Sequence, residues 1–103
     1  MSTDIMAIVQ ASAQRLFPNL SLEQVLAELL LGRARSNLIK YCTMTRQFEA
    51  KYNQDFETFR NRILHSEPVF EEEQDYFDWE MAITGITDME TEIQRLQVLV
   101  KPS

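Results

Sequence analysis

The residues best suited to chemistry lie between Glu67 and Glu80, a run holding seven acids and no Lys or Arg. On a helix Glu71, Asp75 and Asp78 share a face, while Glu73 and Glu80 stand one heptad apart. Carboxylates gathered this way can hold a hard cation such as magnesium, and a small metal-dependent enzyme using the Asp/Glu residues of 71–80 is one reading. They can also form an acidic contact surface for a basic partner. A third account needs neither. Glu71, Glu72 and Glu73 fall where a helix would begin, and negative charge is favourable there. A metal site needs oxygens converging from other elements, and no companion signature is present, so the sequence predicts no metal and no cofactor.

The other reactive groups are sparse. His65 is the sole histidine; with Glu67 or an acid of the following helix it can act as a base or ligand. A lone histidine near a helix end more often makes cap and dipole contacts. Cys42 is the sole cysteine, which rules out an intrachain disulfide and a cysteine-rich metal site. A Cys42–His65 dyad is conceivable, but Cys42 falls mid-helix beside apolar positions, where cysteine is usually inert packing. No zinc-helix motif, P-loop, dinucleotide fingerprint or nucleophile elbow is present, and no catalytic residue is assigned.

The elements that must position these groups read as helices. Two glycines and three prolines among 103 residues suit long helices in a single domain, 1–103. Helices are expected at about 3–17, 22–52, 55–65 and 70–99. Ser2 or Thr3 can cap the first, which carries a modest stripe of Ile5, Ile8, Val9, Ser12 and Leu16 and ends before Pro18. Ser21-Leu22-Glu23-Gln24 is a capping box opening the second. Its apolar face reads Ala27, Leu30, Ala34, Leu38, Tyr41, Thr45, Phe48 and Tyr52, broadened by Val25, Leu26 and Leu29. Asp55 can cap the third, and Ser66-Glu67-Pro68 closes it. In the fourth, Ala82, Ile86, Met89, Ile93, Leu96 and Val100 form a heptad-like seam, which Tyr76, Trp79 and Ile83 extend upstream. Gly32 and Gly85 are the places where a helix can break.

Matching lengths joined by a compact connector predict an all-α fold: a long antiparallel helical hairpin, coiled-coil-like, with a short tip helix and a short N-terminal helix. The basic residues Arg33, Arg35, Lys40, Arg46 and Lys51 lie on the second helix. In this hairpin Arg46 and Lys51 would meet Glu71, Glu72, Asp75 or Asp78. The aromatic residues cluster near the connector, as a tip core of Phe48, Tyr52, Phe56 and Phe59 or as exposed anchors, with Tyr76 and Trp79 the first choices for anchors.

The segments Phe48-Glu49-Ala50-Lys51-Tyr52, Asp55-Phe56-Glu57-Thr58-Phe59 and Asp75-Tyr76-Phe77-Asp78-Trp79-Glu80 resemble a pattern in small uncharacterised prokaryotic all-helical proteins, some of them antitoxin-like. The resemblance covers about residues 38–96. It implies a two-helix coil with a folded tip in which Phe48, Tyr52, Phe56, Phe59 and Trp79 pack together, and it implies no catalytic residue. Glycine often follows the Lys-Tyr pair in that pattern, where this chain has Asn53. A DNA-binding domain of the antitoxin kind is not recognisable.

Charge divides unevenly: residues 1–65 hold eight Lys/Arg against six Asp/Glu, and residues 66–103 two against ten. A helix-turn-helix reading of the first two helices fails on residues 22–31, which carry two glutamates and no cation, so nucleic acid is not an expected partner. The start lacks signal-peptide features and no apolar run approaches a membrane span, which predicts a cytoplasmic chain. The functional expectation is a non-enzymatic protein–protein interaction module, antitoxin-like, binding a protein partner through Glu72, Asp75, Tyr76, Asp78 and Trp79. The alternative is a structural homo-oligomer, such as a dimer.

Overall fold

The computed structural model describes residues 2–100, with side chains from Asp4 onward. Four helices occur there, α1 (Ser2–Leu16), α2 (Leu22–Tyr52), α3 (Phe56–Leu64) and α4 (Phe70–Val100). The caps expected of Ser2 and Thr3 lie outside the described side chains.

Local chemistry sets the helix ends. The Gln24 amide donates to Ser21 Oγ at 3.2 Å and the Ser21 amide donates to Gln24 Oε1 at 2.9 Å, so the capping box is closed in both directions. At the other end of α2, Asn53 adopts the left-handed conformation, φ 53° and ψ 40°, a role that Asn fills more readily than any residue but glycine. Asp55 accepts the Thr58 amide at 2.8 Å and starts α3. Glu72 reaches back to the Val69 amide at 3.2 Å at the start of α4, so one of the acids that suggested a site caps its own helix.

α2 and α4 pack side by side and antiparallel. Lys51 meets Asp75, Phe48 stacks on Trp79, and Tyr41 lies against Gly85, so α4 partners rise in number as α2 partners fall. The molecule measures 58 × 36 × 18 Å. Both helices run unbroken through their glycines. An alanine Cβ at Gly32 would meet nothing within 4 Å, whereas one at Gly85 would lie 2.6 Å from the Tyr41 ring. Gly85 is therefore the notch that receives Tyr41.

One seam residue differs from the expectation. Leu31 is buried and Leu30 is exposed. With Leu31 in the seam, the steps from Ala27 through Tyr52 alternate regularly between four and three, matching the seam of α4. Leu30 would impose two successive steps of four, which turns the stripe away from its partner.

Candidate functional site

The hairpin tip gathers most of the residues singled out from the sequence. Phe59 and Trp79 are fully buried, Tyr76 and Ile63 nearly so, and Phe48, Tyr52, Phe56 and Ile83 pack against them. Trp79 lies 5.6 Å from Phe48, 5.4 Å from Phe56 and 5.3 Å from Phe59, ring centre to ring centre. α3 folds over the end of the hairpin and supplies Phe59 and Ile63 from its inner face. The indole Nε1 of Trp79 and the Thr45 hydroxyl are buried and make no hydrogen bond among the described residues.

This placement corrects the choice of Tyr76 and Trp79 as exposed anchors. Acids flank both in sequence, but successive helix residues are turned about 100° apart. Asp78 and Glu80 thus sit beside the Trp79 ring without sharing its face. Acids one turn away do share a buried face: Asp75 lies on that of Trp79, and Glu80 accepts from the Tyr76 hydroxyl at 3.2 Å.

The acids of the partner set are engaged within the chain. Asp75 accepts from Lys51 Nζ at 2.6 Å and from the Tyr52 hydroxyl. Burial pushes the Asp75 carboxyl up, but these two donors outweigh it and hold it below its ordinary value. Burial first, and then the same hydrogen bond, push the Tyr52 phenol up to about 12. Lys51 also meets Glu71 at 3.0 Å, and its pairing with Asp75 and then Glu71 raises its pKa. Glu72 takes Arg62 at 2.8 Å, tying α3 to α4, and the hydrogen bonds from Arg62 and the Val69 amide hold its carboxyl low. Asp78 accepts from Gln74. Lys51 thus forms the cross-hairpin pairs its position suggested, while Arg46 forms none among the described residues and α3 supplies Arg62 in its place.

The remaining chemical candidates resolve into structural contacts. His65 Nδ1 sits 2.8 Å from the Asn61 carbonyl, at the C-cap of α3, a contact that requires the proton on Nδ1. Cys42 is half-buried in mid-α2. Among the described residues no group of three or more His, Cys, Asp or Glu side chains is placed to hold a metal ion, and no helix is long and apolar enough to cross a membrane.

The opposite, open end of the hairpin carries a feature outside the residues singled out for binding. A groove of about 260 Å³ runs between α1 and α2, lined by Ile8, Val9, Leu16, Phe17, Leu26 and Leu29 among others, with Ser12 its one polar side chain. Ile5 continues the lining one turn along α1 and Leu30 one turn along α2. Ile5, Ile8, Leu16, Leu26, Leu29 and Leu30 are each between 47 and 75 % exposed. The signal was present as a surplus: α2 carries an apolar flank outside its seam, and α1 carries a stripe that a two-helix seam cannot cover.

Compared with known proteins, the chain matches no described family, no curated protein and no solved structure.

Proposed function

We propose that the protein is a non-enzymatic protein–protein interaction module whose binding surface is the apolar face shared by α1 and the first turns of α2. One observation carries this reading: a contiguous strip of large aliphatic side chains, concave along the α1–α2 groove, stands open to water. Large contiguous apolar patches on a folded surface mark sites of association more often than single exposed leucines do. The tip, by contrast, spends Phe48, Tyr52, Phe56, Phe59, Tyr76 and Trp79 and most of its acids on its own packing, and leaves Phe70 and Phe77 exposed. An antitoxin-like role is the narrower form of this reading and rests on the sequence resemblance alone.

The test compares two matched baits, the wild-type chain and an Ile8→Glu/Leu29→Glu variant. Both positions are exposed, so the variant should keep its helicity by circular dichroism. Whatever associates with the wild type, a second copy or another protein, should be lost from the variant. If nothing distinguishes the two baits, the face is not a binding surface.

A further inference from the structure

We infer that the occupant of the α1–α2 face is a second copy of this chain, the two α1 helices packing antiparallel across a two-fold axis. The inference rests on the reading of that face as a binding surface and adds its partner and geometry.

The charges of α1 are arranged for such a pairing. Asp4 is its one acid and Arg15 its one base, near opposite ends of the helix. Eleven residues separate them, about three turns, so they fall on the same flank within about 20° of one another. Both border Ile8 at the edge of the apolar stripe. A two-fold axis perpendicular to the plane of two antiparallel helices carries each flank onto the same flank of its partner, running the other way. Asp4 of one copy then meets Arg15 of the other, twice per dimer. A parallel pair would set this flank against the opposite one, which carries Met6 and Ala13 and no charge.

The surface is also of the right size. At roughly 100 Å² of apolar area per aliphatic side chain, the six exposed side chains leave about 350 Å² in water per copy. Interfaces are a little over half apolar, so this implies about 1,300 Å² buried in total, within the range of about 1,200–2,000 Å² typical of specific pairs.

Finally, this is the end at which two copies can approach. The whole chain carries a net charge of -6, and the α4 start is a run of acids. Residues 4–35, in contrast, hold three acids, Asp4, Glu23 and Glu28, balanced by Arg15, Arg33 and Arg35. Repulsion between copies is least where the apolar surface lies.

Sedimentation equilibrium of the purified chain at low salt, from about 1 to 100 µM, tests the inference. The wild type should dimerise. Asp4→Arg alone or Arg15→Glu alone sets like charges together and should weaken the dimer about tenfold. The Asp4→Arg/Arg15→Glu double variant should recover the wild-type dissociation constant to within about threefold, and Ile8→Glu should remain monomeric with unchanged helicity. A wild-type monomer at every concentration overturns the second-copy inference, while the matched-bait comparison still decides separately whether the face binds anything. A dimer indifferent to the single charge reversals, or not recovered by the double, overturns the antiparallel α1 pairing.

Discussion

Replacing glycine by alanine in the two long helices should have opposite effects, and the structure gives the size of each. Gly32 is exposed in the interior of α2, and a Cβ there meets nothing within 4 Å. Alanine restricts the unfolded chain and favours the helix, so Gly32→Ala should stabilise by about 0.5–1 kcal/mol. The same propensity gain applies at Gly85. There, however, three carbons of the Tyr41 ring lie 2.6–2.9 Å from the new methyl, against roughly 3.5–4.0 Å for relaxed contact. The ring must retreat by about 1 Å, and overpacking of this kind costs about 1–3 kcal/mol. Tyr41 is only half-buried and can yield in part, which places the net effect of Gly85→Ala at about 1 kcal/mol destabilising. The two variants should therefore differ by about 2 kcal/mol, read from urea unfolding by circular dichroism at one fixed protein concentration. In a Tyr41→Leu background the clash disappears and Gly85→Ala should turn stabilising, a coupling of about 2 kcal/mol. If Gly85→Ala stabilises as much as Gly32→Ala, or if the Gly85 and Tyr41 effects simply add, the notch is not real.

Trp79→Ala should cost about 3–5 kcal/mol, because it empties the fully buried centre of the tip. Trp79→Phe should cost much less than Trp79→Ala, since the indole N–H it removes has no acceptor among the described residues, and denaturation midpoints would expose the reverse order. Asp75 and Glu72 are held below their ordinary values of 3.8 and 4.5, so their pairs support the fold above those values. That support should fade as pH falls through the lower folded values, and Asp75→Asn should flatten the fall in unfolding midpoint between neutral and acid pH. Tyr52 has the opposite sign: its raised pKa supports the fold below 10.0, and this support is lost as pH rises toward about 12. Tyr52→Phe should remove that alkaline component from a tyrosinate titration. Ser21→Ala should cost about 1 kcal/mol through loss of the α2 cap, measurable as a lower melting temperature.

The helix ends were legible because their signals are local. Ser21 with Gln24, Asn53 and Asp55 each declare a boundary through groups within three residues, and each does so in the structure. The hairpin order followed from two seams of equal length. The Leu30 and Leu31 exchange was harder, since three consecutive leucines leave the phase of a stripe ambiguous until the partner helix fixes it. Trp79 drew two readings, a packed tip residue from the pattern it shares and an exposed anchor from its acid neighbours. The first holds, because neighbours in sequence are not neighbours on a helix face. The α1–α2 groove depends on where the Pro18-Asn19 turn sets α1 down, which no periodicity within α1 specifies. Gly85 read as a weak point for the same reason: only the position of Tyr41 makes it a contact.

The uneven packing of the hairpin also orders how it assembles. Lys51 and Asp75 are 24 residues apart in the chain, and the aromatic cluster beside them closes the shortest loop available to the two long helices. Later seam pairs extend that closure and need no new loop, so the entropy of bringing distant segments together is spent mainly at the tip. Folding should then run as a zipper from Trp79 toward Ala27 and Leu96, with α1 docking last. Substitutions in the tip should slow refolding, and those near the open end should chiefly speed unfolding. The apolar α1–α2 face should thus be the last part to form, after the core is complete.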